Sequence, residues 1–220
     1  MAIEQTNIKL ENSKKRLAYL SPFIIIAVNC IVALLFGQLI GKWAFIPIIL
    51  IEWCLFLFFI IQAHGKSQFK IWMAKPKGNI VWPVIAIIIS LATLPIFIKH
   101  FELLNSWTII LPWLLIAFIN PFLEEFYWRG FLLDYTSNWK NWITVIVTSF
   151  LFSANHFVFA INSDLFKGFP VFISTLIMGI IWAIVYKKTK SLRWTIFAHF
   201  LVDFLNLSVP SFLDMYKQGW

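Results

Sequence analysis

The sequence predicts an all-α protein, a polytopic transmembrane helical bundle of about seven spans with its N-terminus cytoplasmic. Three observations carry this prediction. Of the 220 residues, 60% are hydrophobic and only 13% are charged, whereas soluble domains average about 45–50% apolar and about 25% charged. Apolar runs recur along the chain, each about twenty residues long and able to cross a ~30 Å hydrocarbon core at ~1.5 Å per residue. The basic residues, which set a formal net charge of +8, lie between those runs rather than scattered. That pattern is a topology signal, not a nucleic-acid-binding surface, so no nucleic-acid partner is expected. No polar stretch is long enough for a separate soluble domain.

Residues 1–19 form a polar, basic, cytoplasmic segment, too long and too acidic for a signal n-region, and no small-residue cleavage pattern follows. Residues 20–106 hold the first three spans, at about 20–40, 43–63 and 80–98. Gly41-Lys42 is a tight turn, and Pro76 and Gly78 mark a second connection. Residues 107–213 hold four more. The stretch 107–133 is long for one span, and Pro121 interrupts it. A proline there frees the carbonyl of Ala117 and is expected to kink or break the helix. Spans at about 142–160, 171–186 and 194–213 follow, then a short tail, 214–220.

With the N-terminus inside, thirteen Lys and Arg fall on the cytoplasmic side and four (Lys42, Lys99, Lys167 and Lys217) on the outer side. This asymmetry alternates correctly through seven crossings. The chain is therefore expected to be a multi-pass protein of the cell membrane, with the lipid bilayer as its surroundings. Cys30 and Cys54 lie within spans and have neither disulfide nor metal-site spacing. No internal repeat is visible, which weakens a secondary-transporter reading.

Ionisable residues at membrane depth cost roughly 2.5–3.5 kcal/mol each on insertion scales, so their positions point to function. Glu124, Glu125 and Arg129 sit together in the fourth stretch, His156 in the fifth span, and His199 with Asp203 in the last. Helical rise places Glu124 ~15 Å from the cytoplasmic end, His199 and Asp203 ~8–14 Å and His156 ~20 Å, one broad layer. Its depth predicts substrate entry from the cytoplasmic side. Glu125 and Arg129 share a helical face and can pair, either as a structural ion pair or as part of a site. Glu124 is rotated by about 100° and faces elsewhere. A carboxylate without an obvious cation, two imidazoles and a further carboxylate suit the activation of water. Histidines can also hold an oxyanion, shuttle a proton or bind a metal. Glu52, in the second span, has no histidine or arginine near it in sequence and reads as a structural or protonated acid.

The set Glu124-Glu125-x-x-x-Arg129, Phe152-x-x-x-His156 and His199-x-x-x-Asp203 resembles the three motifs of the CPBP intramembrane proteases. These are the CAAX-processing endopeptidases and bacteriocin-processing or immunity proteins, also called the Abi family. The resemblance covers about residues 107–213. It implies a multi-span helical protease in which Glu124 activates water with help from His156, and His199 and residue 203 stabilise the oxyanion. Glu125 and Arg129 would set geometry or contact substrate. Asp203 departs from the CAAX-processing pattern, which has Asn there. An ionised Asp cannot donate to an oxyanion, so Asp203 must be protonated, orient a histidine or ligate a metal. Two His with Glu or Asp could form a zinc site. There is no His-Glu-x-x-His helix, and a metal-free glutamate mechanism, which is slightly favoured, fits the same residues.

The function expected is an intramembrane endopeptidase acting on a peptide or membrane-protein substrate, prenylated or precursor in kind. The alternatives are a non-catalytic membrane scaffold or bacteriocin self-immunity protein, and a proton-coupled transporter.

Overall fold

A computed structural model describes residues 2–216, so Lys217 of the charge count lies outside the described residues. The structure is all-helical, with no strand among the described residues. The helices are α1 (Ala2–Ile40), α2 (Phe45–His64), α3 (Gln68–Trp72), α4 (Val81–Ser90), α5 (Leu94–His100), α6 (Trp107–Glu125), α7 (Leu133–Tyr135), α8 (Asn141–His156), α9 (Phe169–Thr189), α10 (Arg193–Leu205) and α11 (Ser208–Phe212). Five segments are long and apolar enough to cross a membrane: Lys9–Ala63, Val81–Leu103, Trp107–Tyr135, Asn141–Ile161 and Phe169–Thr189.

The first segment holds both α1 and α2. Gly41 takes φ +58°, a left-handed conformation that glycine adopts without a Cβ penalty. A short 3-10 turn over Gly41–Ala44 follows it. The two helices lie antiparallel, because Asn29 Nδ2 donates to Glu52 Oε1 at 3.2 Å across the hairpin. The stretch expected as a seventh span, 194–213, is two pieces. α10 has 13 residues, ~20 Å of helix. The chain then turns at Leu207, φ +53°, and α11 packs back beside α6. Neither piece alone is long enough to cross.

Pro121 does not break its helix. α6 runs through both Pro112 and Pro121 to Glu125, because one lost backbone bond is tolerable where neighbouring helices bury the site. The irregularity comes one step later, as a π-helical turn over Phe126–Leu132. Such turns inside helices recur at functional sites. This turn is the centre of the core, and Tyr127, Trp128, Arg129, Gly130, Phe131 and Leu132 are all buried. Phe56 stacks on Tyr127 with centroids 4.5 Å apart. Trp72 packs onto Gly130 so closely that a Cβ there would lie 2.8 Å from the indole.

The two ends of the bundle differ. At one end the lysine-rich connections are tied together: Lys77 N donates to Thr189 O at 2.8 Å, Leu192 N to Trp72 O at 2.9 Å, and Arg193 Nε to Met73 O at 2.8 Å. At the other end Asp214 gathers Lys42 Nζ at 2.8 Å, Ser163 Oγ at 2.6 Å, and the backbone N–H of Asp164 and Leu165 at 2.7 and 2.8 Å. The segregation of lysines seen in the sequence is therefore a segregation in space.

Candidate active site

The end of α6 and the π-helical turn present Glu124, Glu125 and Arg129. α8 ends on His156, and α10 brings His199 and Asp203. Glu124, Glu125, Arg129, His199 and Asp203 are all buried, and His156 is partly so. The structure brings all six together.

The adjacent glutamates diverge, as a 100° step requires. Glu125 Oε1 accepts from Arg129 NH1 at 2.8 Å and from His199 Nδ1 at 3.0 Å. The Arg129 guanidinium carbon also lies 4.1 Å from the Phe152 ring centroid and 5.2 Å from that of Trp182, an arrangement in which the ring faces favour the cation. Trp182 in turn stacks on His199, centroids 4.5 Å apart. Glu125 and Arg129 thus hold one histidine in place instead of facing open space.

Glu124 points the other way. Its Oε2 is buried with no hydrogen-bond partner, and lies 3.8 Å from His156 Nε2 and 4.0 Å from His199 Nε2. His199 Nε2 is also 3.6 Å from Asp203 Oδ1. The tautomers follow from the partners. His156 Nδ1 is 3.0 Å from the Phe152 carbonyl, which only accepts, so Nδ1 carries the proton. His199 Nδ1 donates to the Glu125 carboxylate in the same way. A neutral His156 then turns its Nε2 lone pair towards Glu124, and His199 presents its Nε2 to Glu124 and Asp203.

Residues that the sequence did not single out complete the site. Asn120 Nδ2 donates to Glu124 Oε1 at 2.9 Å and to Asp203 Oδ2 at 3.1 Å. Its Oδ1 accepts from Trp53 Nε1 at 2.8 Å. A polar residue one helical turn before Glu124 was a usable signal for Asn120, whereas Trp53 had none. Glu52 belongs to the same neighbourhood. Its Oε1 accepts from Asn29 and from Asn155, the residue next to His156. These bonds tie it to the end of α8.

A cavity of about 620 Å³ opens from these groups, its walls including Ile116, Phe152, Phe159, Met178 and Phe212. It reaches Lys99, His100, Pro170 and Tyr216, at the end of the bundle that carries Lys42 and Asp214. Glu124 lies nearer the lysine-rich end along α6, and the cavity extends from it towards the opposite end.

Among the described residues no three His, Cys, Asp or Glu side chains stand together as a ligand set for a metal ion. The 3.6–4.0 Å separations between these groups exceed the ~3.3–3.4 Å between neighbouring ligands that tetrahedral zinc imposes at ~2.0–2.1 Å bond lengths.

Residues 105–205 match the model of a family described as type II CAAX prenyl endopeptidase Rce1-like. The matched segment contains all three motifs and agrees with the resemblance they carry. No curated protein and no solved structure matches the chain.

Proposed function

We propose that this membrane protein, whose residues 105–205 match the Rce1-like CAAX prenyl endopeptidase family model, is an intramembrane endopeptidase that hydrolyses peptide bonds by glutamate-activated water. The observation that carries the reading is Glu124 Oε2. It is a buried acceptor without a partner, with two imidazole Nε2 atoms within 4.0 Å. A water whose two O–H groups donate to Glu124 Oε2 and His156 Nε2 fits between them at ordinary hydrogen-bond lengths of about 2.8 Å.

In the proposed reaction Glu124 takes a proton from that water as its oxygen bonds to the peptide carbonyl carbon. The carbonyl π pair moves onto oxygen and forms a tetrahedral oxyanion. Glu124 then returns the proton to the leaving nitrogen as the C–N bond breaks. His156 holds the water, and His199, fixed by Glu125, faces the same centre. Asp203 stays within reach of His199 and orients it, one of the roles its carboxylate permits. The metal-free form of the mechanism uses only these groups.

The substrate proposed is a peptide or a membrane-protein segment that enters the apolar cavity from the bilayer. The location proposed is the cell membrane, with the lysine-rich end cytoplasmic. In that orientation the cavity opens towards the outer side.

The test is cleavage of a quenched-fluorescent membrane peptide library by the detergent-purified full chain, wild type beside Glu124→Ala and His156→Ala, each with and without a chelator. Cleavage by wild type that both variants lose, and that chelator leaves intact, is the expected result. Cleavage abolished by chelator would replace the metal-free mechanism. Cleavage that survives Glu124→Ala would end the proposal, and a cellular phenotype surviving the same change would favour a scaffold or immunity role.

A further inference from the structure

A hydrolase of this kind must hold an oxyanion, and the site offers few fixed donors. The lone pair of His156 faces inwards, and an ionised Asp203 has no proton to give. Asn120 does. It is buried, and the Trp53 indole N–H, which can only donate, occupies its Oδ1 at 2.8 Å. The NH2 end is therefore turned without ambiguity towards the two carboxylates. Its 2.9 Å bond fixes Glu124 Oε1 and leaves Oε2 as the free oxygen. Its second bond, to Asp203 Oδ2, is longer at 3.1 Å. Asn120, Glu124, His156, His199 and Asp203 all line the same cavity.

From this geometry we infer that Asn120 is a further catalytic residue, the amide donor of the site. One N–H orients the Glu124 carboxylate throughout the reaction. The other leaves Asp203 Oδ2 and donates to the carbonyl oxygen as negative charge develops there. Asp203 releases that N–H as the oxyanion forms and takes it back when the C–N bond breaks. No bond is made or broken at Asn120, and its contribution is a preorganised dipole aimed at the developing charge. The inference rests on the peptidase reading.

The experiment measures kcat and KM of the full-length detergent-solubilised protein on a peptide whose cleavage Glu124→Ala abolishes. The series is wild type, Asn120→Ala, Asn120→Ala with Asp203→Asn, and Trp53→Phe, with thermal unfolding recorded for each. Asn120→Ala is expected to lower kcat by about 10²–10³, the range for loss of one oxyanion donor, with KM changed less than about threefold. Asp203→Asn in that background is expected to restore at least about tenfold, because it returns an amide to the same point from α10. A merely structural Asn120 would not be rescued in this way. Trp53→Phe keeps an aromatic side chain but removes the N–H that orients the amide, together with part of the indole, so kcat falls by a smaller factor at unchanged KM.

Wild-type kcat in Asn120→Ala, or a folded double variant no faster than Asn120→Ala, would overturn the inference. If Asn120→Ala does not fold, Trp53→Phe decides: unchanged kcat there overturns it. Should the peptide still be cut by Glu124→Ala, the peptidase reading itself fails. Loss in Glu124→Ala with full activity in Asn120→Ala sinks only the donor role of Asn120.

Discussion

Glu125 and His199 lie 74 positions apart in the chain and are joined by a 3.0 Å hydrogen bond from Nδ1 to Oε1. The same carboxylate oxygen takes Arg129 NH1 at 2.8 Å. One buried acid therefore sets the orientation of a histidine on α10 and neutralises a cation on the π-helical turn. Truncating one member of a buried ion pair strands the other, at a cost of about 3–5 kcal/mol. Glu125→Ala is expected to lower thermal stability by that order and to abolish cleavage. Glu125→Gln, which keeps an oxygen at the same place, should retain more of both. Thermal unfolding in detergent, paired with the peptide assay, checks it. Equal stability in the two variants would mean that the pair is not what holds this region.

Glu124 should behave in the opposite way. Its Oε2 has no protein hydrogen-bond partner, so removing its charge strands no other side chain. Glu124→Gln is expected to keep or raise the unfolding temperature. A general base contributes typically 10²–10⁴ in rate, and cleavage should fall by about that factor. A large loss of stability in Glu124→Gln would instead make Glu124 a structural acid.

Gly130 lies against Trp72, and a Cβ would come within 2.8 Å of its indole. The indole cannot yield freely, since its Nε1 donates to Asp134 Oδ2 at 2.9 Å. Overpacking of this kind costs typically about 1–3 kcal/mol. Gly130→Ala is expected to lower the unfolding temperature despite the better helix propensity of alanine, and Gly130→Val to lower it further. A stabilised Gly130→Ala would show that α3 moves aside.

Much of this was legible in the sequence, and the reason is the cost of burying charge. Glu124, Glu125, Arg129, His156, His199 and Asp203 stood out because each is expensive in an apolar span, and the structure brings them together, four on the wall of one cavity and Glu125 with Arg129 behind His199. Helical spacing gave the Glu125–Arg129 pair directly. Span boundaries were less legible, because hydropathy registers apolar content and is blind to a backbone turn such as the one at Leu207. For the same reason 194–213 read as one span. Asn120 and Asn155 passed unnoticed because a neutral amide in a span is cheap enough to be unremarkable, although each touches a carboxylate.

Asp214 offers a prediction outside the spans. Burial would raise its pKa, but Lys42, the Ser163 hydroxyl and the backbone N–H groups of Leu165 and Asp164 outweigh it and hold the carboxyl down at about 2. A folded-state pKa below the ordinary value of 3.8 means stability that is fully present above that value and lost as pH falls towards about 2. Asp214→Asn is therefore expected to unfold at lower temperature than wild type at neutral pH. The gap should close as acid protonates the wild-type carboxyl. A gap independent of pH down to about 2 would assign the effect to the lost hydrogen-bond geometry instead of the charge.

The last prediction separates the two acids of the site region. Glu52 Oε1 accepts from both Asn29 and Asn155, and Asn29 Nδ2 also donates to Asn155 Oδ1 at 3.2 Å. This buried trio ties the α1–α2 hairpin to the residue next to His156. Its role is to position, so it needs an oxygen at Glu52 and not a charge. Glu52→Gln should keep cleavage within a few-fold of wild type. Glu52→Leu leaves the buried Asn155 amide without its acceptor and Asn29 with one bond fewer, at about 1–3 kcal/mol for an unsatisfied group. It also frees the end of α8, so kcat should fall along with stability. Glu52→Gln as inactive as Glu124→Gln would show that Glu52 carries a proton in the reaction, and the mechanism would then need a second acid.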